Sequence, residues 1–250
     1  MWLLIWQLLS LIIHNKILLV GPAETIQSLI TLSQNPEFWQ SVIASAMRIG
    51  LGFILGALFG ILMAALEMFS QNGYAGTNIR ELTASLGLVK SSMYKHFKSK
   101  EDIWNTLLDE MIAYYNQRFG SPENLPPVPD SLDELVEMTM RMVDFTVHDE
   151  RIVMTRKLLS IEQYRDERAR SLATKHFLTG LTEMFTHIFE GMMDKGLLRR
   201  DDPGMLAFAY TAPISALIHL TTREPEKTAD AILQIKAFSE HFIQVYRQDD

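Results

Sequence analysis

Hydrophobic residues are distributed in three different ways along the chain. From residue 1 to 63 they form nearly continuous runs, and from 64 to about 119 they occur in short stretches. After a proline-rich segment they recur at helical spacing to the end of the chain. Apolar residues three and four positions apart are typical of amphipathic helices, whereas a strand alternates every second residue. The pattern predicts an all-α protein with three regions, 1–63, 64–111 and 112–250.

The first region has the composition of membrane helices. The run 43–65 contains a single charged residue, and Gly52, Gly56 and Gly60 fall on one helix face. Small residues at this spacing allow close helix packing in a bilayer. We therefore expect one or two transmembrane helices here, with membrane lipid as a partner. The alternative is a buried core helix with incidental glycines, each of which would cost such a helix about 1 kcal/mol relative to alanine.

The second region predicts three helices with a tight turn between the last two short ones. A first helix ends near Gly73, and short helices follow at 78–86 and 90–97. Thr77 is the expected N-cap of the first short helix, because threonine is among the preferred capping residues. Gly87 supplies the turn. Two short helices joined by a short glycine-containing turn form a helix-turn-helix unit, which places its second helix in the DNA major groove.

A long helix is expected directly after this unit. Ser99, with Asp102 three residues later, resembles a capping box, so the helix should run from 100 to about 118. Val89 precedes the second short helix, where a capping serine or threonine would stabilise it by roughly 1 kcal/mol. That helix should therefore have a weak N-terminus.

Charge is concentrated in the same region. The protein carries a net charge of −7, but residues 77–100 hold five basic residues against one acidic residue, Glu81. A basic island in an acidic protein indicates a local anion-binding surface. The simpler alternative is a solvated surface helix. The five basic residues are Arg80, Lys90, Lys95, Lys98 and Lys100.

The third region begins with a linker at 120–130 that is rich in proline and unsuited to helix. Ser131 and Glu134 then form a second capping pair. Further helices are predicted at about 152–164, 168–193, 202–220 and 227–246, the long one closed by Gly196. The segment 202–220 is apolar nearly all round, as expected for a helix buried in a bundle or an interface.

The segment 64–111 resembles the N-terminal domain of the TetR family of transcriptional regulators over its whole length. The matching residues are Phe69, Gly73 and Tyr74, Thr77 and Ile79, Leu82, Gly87, Tyr94 and Phe97, and Lys98-Ser99-Lys100. The resemblance implies a three-helix DNA-binding domain followed by a helical region, 112–250, for ligand binding and dimerisation. It also implies that these domains lie in the cytoplasm.

Candidate DNA contacts follow from the helix-turn-helix interpretation. A recognition helix in the major groove can place Lys90, Ser91, Ser92 and Lys95 at base edges or phosphates. By resemblance, Thr77, Tyr94 and Lys100 contact backbone phosphates and fix the register. The expected partner is a double-stranded, palindromic operator bound by a homodimer. The last two helices are the expected dimer face, because their apolar surface exceeds what one bundle needs.

The function expected from these features is a transcriptional repressor that a small-molecule inducer releases from DNA. Nothing in the sequence identifies the inducer. The chain has no cysteine, its histidines lack metal-ligand spacing, and no catalytic constellation is evident. We therefore expect no enzymatic activity, no metal site and no cofactor.

A second resemblance concerns the first region. Residues 21–64 resemble the first part of permease subunits of nitrate/sulfonate/taurine-type ABC importers, without the remaining spans or the ATPase-docking loop. The resemblance predicts a regulator tethered to the cell membrane by its N-terminal segment. Two alternatives remain open. One is a permease–regulator gene fusion with impaired DNA binding, and the other is a transport component that carries a regulatory tail.

Overall fold

The computed structural model describes residues 2–13, 19–120 and 124–248. Within these ranges the chain forms helices and turns, with an isolated bridge between Leu198 and Arg247 but no strand. The prediction of an all-α fold is confirmed. The chain divides into two compact units, Met1–Phe59 and Gly60–Asp250.

The first unit contains α1 (Trp2–Ile13), α2 (Pro22–Ser33) and the beginning of α3 (Pro36–Gly76). The turn between α2 and α3 is held by the Trp39 indole N–H, which donates to the carbonyl of Ser33 at 2.7 Å. α3 is long and apolar enough to cross a membrane, whereas α1 has 12 residues. A span needs about 20 residues.

Apolar side chains in this unit are widely exposed on α3. Ile49 is 74% exposed and Phe53 is 77% exposed. A methyl group added at Gly52, Gly56 or Gly60 would meet no atom within 4 Å. Soluble proteins rarely expose such a continuous apolar surface. The part of α3 before Gly60 therefore has an apolar surface of unusual extent for a protein in water.

The second unit begins with the rest of α3, which contains a break at Gly73 (φ +70°). The next helices are α4 (Ile79–Ser85), α5 (Lys90–Met93) and α6 (Lys100–Phe119). The predicted cap of α4 was wrong by one residue. Asn78 accepts from the Arg80 N–H at 2.9 Å, whereas the Thr77 hydroxyl donates to the Gly73 carbonyl at 2.9 Å. Thr77 is thus engaged with the preceding break and cannot cap α4.

The other predicted caps are present. Ser99 accepts from the Asp102 N–H at the start of α6, as in a capping box. The return bond differs, because the Asp102 carboxylate accepts from the N–H of Lys98, one residue before the N-cap, at 2.8 Å. Ser131 accepts from the Glu134 N–H at the start of the next helix. Val89 makes no side-chain cap for α5, as the sequence predicts.

A helical bundle completes the second unit. It consists of α7 (Leu132–His148), α8 (Glu150–Glu162), α9 (Glu167–Thr174), α10 (Gly180–Asp194), α11 (Pro203–Arg223) and α12 (Thr228–Tyr246), with a 3-10 turn at Pro225–Lys227. α10 ends before Gly196, which has φ +70°, at the predicted position.

The predicted helix at 168–193 is interrupted by a π-helical turn at Lys175–Thr179. The Gly180 N–H donates to the Lys175 carbonyl, five residues back. A Cβ atom at Gly180 would lie 2.8 Å from that carbonyl oxygen, so glycine permits the wider turn. The prediction of one regular helix was wrong here, because one extra residue is accommodated within a continuous apolar pattern.

The bundle core is centred on Tyr210 in α11. Its side chain is fully buried among aromatic rings of α10 and α12, including Phe189 and Phe242. Its hydroxyl shares a 2.9 Å hydrogen bond with the Thr139 hydroxyl of α7. α11 is also long and apolar enough for a membrane span, but its buried face forms this core. The expectation that 202–220 is buried in a bundle is confirmed on that face.

Candidate DNA-binding surface and ligand cavity

α5 and the turn after it are anchored by apolar residues and expose polar ones. The prediction of a helix over 90–97 was wrong in length, because α5 ends at Met93 and residues 94–96 form a turn. Met93 and Phe97 are buried, at 0% and 4% exposure. Lys90, Ser91 and Lys95 are exposed, and Ser92 is half-buried. Three of the four side chains that the sequence predicts as base-edge or phosphate contacts therefore face solvent.

The predicted phosphate contacts lie in different environments. Tyr94 is 44% exposed, with the Lys90 Nζ 5.7 Å from its ring centroid. Lys100 is half-buried, with its Nζ 4.3 Å from the Tyr74 ring centroid, and burial lowers the pKa of its ammonium group. Thr77 is 3% exposed, and its hydroxyl donates within the domain. Its contact with DNA stays a prediction, and its hydroxyl already has a structural role.

An aromatic cluster supports this surface from within. Phe69, Tyr74 and Trp104 pack with ring centroids 5.2–5.7 Å apart. Edge-to-face and tilted ring contacts are worth roughly 0.5–1.5 kcal/mol beyond their burial. The cluster joins the end of α3 to α6, so it fixes the helix that precedes the helix-turn-helix unit.

Polar contacts join the DNA-binding helices to α9 of the bundle. The Trp104 indole N–H donates to the Asp166 carboxylate at 3.3 Å. Arg168 donates to Asn105 at 2.9 Å and pairs with Asp109 at 2.6 Å. The sequence analysis missed these contacts, because the partners lie about 60 residues apart and share no local pattern.

The bundle encloses a cavity with about 740 Å³ of empty space, including the part open to solvent. Its wall is mainly apolar and aromatic, which is typical of small-molecule sites. The lining residues with nitrogen-containing side chains are Arg156, His176 and His219, and those with hydroxyls are Tyr115, Thr139, Thr146, Thr155, Thr211 and Ser215. The other lining residues are Phe119, Met142, Val143, Ile152, Phe177, Leu181, Phe185, Ile214 and Ile218.

Arg156 is the buried cation of the cavity, at 4% exposure. Its Nε donates to the Thr222 hydroxyl at 2.5 Å, and its Nη1 donates to the Thr146 carbonyl at 3.0 Å. Burial lowers its pKa to about 10, so the guanidinium stays charged at neutral pH. No local pattern singles out this residue, because the burial of one arginine among several depends on tertiary packing.

Both cavity histidines are neutral at pH 7. His176 lies in the π-helical turn and stacks on Tyr115, with ring centroids 3.8 Å apart. Burial lowers the pKa of His176 to about 3. Burial, together with Arg156 and Arg223, also lowers the pKa of His219. His176 is 8% exposed and lines the cavity wall.

α11 and α12 expose large apolar side chains. Met205 and Phe208 on α11 are 65% and 49% exposed, and Leu233 and Val245 on α12 are 66% and 45% exposed. These four residues form what we call the α11–α12 apolar face. Exposed apolar patches on a folded domain commonly mark protein interfaces.

The sequence of the DNA-binding region matches a known family. Residues 61–107 match the profile described as bacterial regulatory proteins, tetR family. The chain is 29% identical over 98 residues to the HTH-type transcriptional regulator AcrR of Shigella flexneri, covering 36% of this chain and 42% of AcrR. It is 26% identical over 157 residues to the HTH-type transcriptional repressor KstR2 of Rhodococcus jostii, covering 60% and 72%. The match thus spans less than half of the AcrR chain.

The fold matches solved regulators over more of the chain. SmeT, the repressor of the Stenotrophomonas maltophilia multidrug efflux pump SmeDEF, covers 77% of this chain and 91% of its own at a TM-score of 0.55 and 21% identity. The SmeT–triclosan complex gives a TM-score of 0.60 at 20% identity, covering 78% and 93%. Residues 61–107 therefore match the tetR family of bacterial regulatory proteins, and more than three quarters of the chain shares the fold of solved regulators.

Proposed function

We propose that this protein is a DNA-binding transcriptional regulator, a repressor that a small molecule releases from its operator. The observation that carries the proposal is the exposure of Lys90 on α5 and of Lys95 in the turn after it, within a region that matches the tetR family. The cavity in the bundle supports the ligand-responsive part. SmeT, which has a similar fold, is a repressor by its description and is known in complex with triclosan.

DNA contacts are assigned by exposure and chemistry. Contacts to base edges or phosphates are assigned to four residues of α5 and the turn after it, Lys90, Ser91, Ser92 and Lys95. Contacts to neighbouring phosphates are assigned to Tyr94 and Lys100. Thr77 remains a candidate phosphate contact. Because its hydroxyl donates to the Gly73 carbonyl, the phosphate would be bound by backbone N–H groups near it. Two copies of the domain bind a palindromic operator, and the α11–α12 apolar face joins them.

A further part of the proposal concerns the membrane. The apolar residues of α3 before Gly60 are exposed nearly all round, which favours insertion in lipid over packing in water. The N-terminal region then tethers a cytoplasmic regulator to the membrane. Its likeness to ABC importer permeases stays a prediction. The competing functions are a permease–regulator fusion with impaired DNA binding and a transport component with a regulatory tail.

The test is DNA binding by the detergent-solubilised full chain, measured by fluorescence anisotropy on fragments flanking its own gene. A fragment comprising 60–250, the second compact unit, serves as the matched control. We expect saturable binding by both proteins that weakens steeply with salt, because phosphate contacts release counterions.

Each other outcome contradicts a defined part of the proposal. Binding by the fragment alone would mean that the N-terminal region impairs the DNA-binding domain, as in the fusion alternative. Binding by neither protein to any of the fragments would contradict the proposed DNA-binding function. Recovery of the full chain in the soluble fraction without detergent would contradict membrane insertion.

A further inference from the structure

The cavity of the bundle contains a buried positive charge without a negative partner. Among the residues that the structure describes, no carboxylate lies within ion-pair distance of Arg156. A buried charge left unpaired costs several kcal/mol, so buried arginines are normally matched by acids. Arg156 is 4% exposed and lines the cavity wall, but it departs from this rule because it has no such acidic partner.

The hydrogen bonds of Arg156 leave part of its donor capacity unused. A guanidinium has five N–H donors. Nε and Nη1 each donate to one oxygen, from Thr222 and Thr146 respectively. These two oxygens belong to α11 and to α7, so they hold the guanidinium plane in place. No acceptor for Nη2 is present in the described part of the chain.

The cavity hydroxyls cannot supply the missing negative charge, and three of them already use their protons. Thr146 donates to the Met142 carbonyl, Thr211 to that of Ala207 and Ser215 to that of Phe177. The two histidines of the wall are neutral at pH 7 because burial lowers their pKa values. The fixed charge in the cavity is therefore that of Arg156.

The rest of the wall selects for an apolar body. Met142, Ile152 and Ile218 line it with aliphatic surface, and Phe119 and Phe177 add aromatic rings. A ligand that satisfies both features has one anionic end and one apolar body. A highly charged metabolite would leave further charges unpaired against this wall.

We propose that the cavity binds an amphipathic organic acid, whose carboxylate pairs with the guanidinium of Arg156 and whose apolar body fills the remainder. The inference rests on the proposed ligand-responsive function and names its ligand class. Planar guanidinium groups bind carboxylates through charge-assisted hydrogen bonds, which are about twice as strong as neutral ones. The acid can be aliphatic or aromatic, because the wall offers both kinds of surface.

The test compares acids with their uncharged counterparts on the full chain in detergent. Octanoate and 4-butylbenzoate represent the two kinds of body, and octanol and 4-butylbenzyl alcohol lack only the charge. Isothermal titration gives the dissociation constants, with a protein-free titration in the same detergent to subtract partition into micelles and Arg156→Met as the matched variant. We expect at least one acid to bind about tenfold or more tightly than its alcohol, the size of one charge-assisted hydrogen bond.

The variant distinguishes a ligand contact from a purely structural role. Arg156→Met should reduce the affinity for the acid by about tenfold or more and leave that for the alcohol nearly unchanged. Equal binding of acid and alcohol by the unmodified chain would overturn the inference without any variant, even if the methionine protein failed to fold. So would an acid affinity that Arg156→Met does not change.

DNA binding by anisotropy separates this inference from the proposed function. If the chain binds operator DNA but none of the acids, the ligand class is wrong and the regulator remains. If an acid binds through Arg156 but neither DNA binding nor its release by the acid occurs, the site is confirmed and the regulatory function is wrong. The preference between octanoate and 4-butylbenzoate identifies the body that the cavity accepts.

Discussion

The carboxylate of Glu162, at the end of α8, accepts a hydrogen bond from the backbone N–H of Tyr74 at 2.8 Å, across 88 residues of sequence. Glu162 is 3% exposed, and Tyr74 follows the break at Gly73. A Cβ atom at Gly73 would lie 2.9 Å from the same carboxylate oxygen. The break at Gly73 thus makes the Tyr74 N–H available to the Glu162 carboxylate, and the missing Cβ of Gly73 leaves room for that carboxylate.

Replacement of Glu162 by alanine should destabilise the second unit. The Tyr74 N–H would lose a charged acceptor, which costs about 1.5–3 kcal/mol for a buried group. Chemical denaturation followed by circular dichroism measures the change, with Glu190→Ala on the exposed side of α10 as control. Equal stabilities of the two variants would show that this hydrogen bond contributes nothing.

Removal of a basic side chain from α5 or from the turn after it should weaken DNA binding and its salt dependence together. Lys90→Ala and Lys95→Ala should each lower the slope of log affinity against log salt by about one if the lysine contacts a phosphate. If the lysine contacts a base edge, its removal should instead relax the sequence preference. Lys157→Ala, on the exposed side of α8, is the control and should leave both unchanged. An unchanged slope and preference for both lysine variants would exclude Lys90 and Lys95 as DNA contacts.

A charge placed on the α11–α12 apolar face should dissociate the proposed homodimer. Leu233 is 66% exposed, and Leu233→Glu would bring two like charges together across a two-fold axis. Sedimentation of the 60–250 fragment should show the dimer for the unmodified sequence and the monomer for the variant. Gln117→Glu adds the same charge on an exposed position of α6. A variant that remains dimeric would place the interface elsewhere.

Acid should destabilise the protein in part through His176. Burial lowers its folded pKa to about 3, whereas the unfolded histidine titrates near 6.5. Between these values only the unfolded state binds the proton, so the stabilisation is present above pH 6.5 and is lost as pH falls toward 3. From pH 7 to pH 5 the loss amounts to about 2 kcal/mol.

His176→Gln should remove that part of the pH dependence. Denaturation at pH 7 and pH 5 gives the free energy of unfolding of each protein, and the decrease should be smaller for the variant. His187→Gln, at an exposed position of α10, is the matched substitution. If His176→Gln and the unmodified protein lose the same stability, another group is responsible for the acid sensitivity.

A methyl group at Gly180 should disturb the π-helical turn. It would lie 2.8 Å from the Lys175 carbonyl oxygen, which the turn needs as its acceptor. We expect Gly180→Ala to cost about 1–3 kcal/mol, the usual range for overpacking, and to weaken ligand binding because His176 and Phe177 of the turn line the cavity. Gly56→Ala, where a methyl group meets no atom within 4 Å, should not be destabilising. Thermal unfolding of both variants measures the difference.

Local signals in the sequence predicted much of the fold. The capping pairs at Ser99 and Ser131 fixed two helix starts, because a cap depends only on residues a few positions apart. Thr77 and Asn78 are both good caps, so the choice between them depended on the hydrogen bond from Thr77 to Gly73. That bond depends on a backbone break which the sequence marks only as a glycine.

The ligand cavity was beyond the reach of local pattern. Arg156 occupies a helix with several charged residues, and its burial arises from packing against α7 and α11, whose contact residues are 10 and 66 positions away. The π-helical turn that carries His176 has five residues. Over so few residues, its apolar spacing cannot be distinguished from that of a regular α-helix. Candidate DNA contacts could be named from the sequence because most of them cluster within residues 90–100, next to a short helix and its turn.

The 13 residues of α8 carry both Arg156, at the cavity, and Glu162, at the Tyr74 N–H. If the organic acid alters the position of this helix and thereby weakens operator binding, thermodynamic reciprocity fixes a second quantity. Operator DNA must weaken binding of the acid by the same factor, since the two events form a closed cycle. A titration of the protein–operator complex with the acid should therefore give a dissociation constant for the acid that is higher by this factor than the one for the free protein. The fraction of the regulator bound to operator DNA would then set the acid concentration to which the regulator responds.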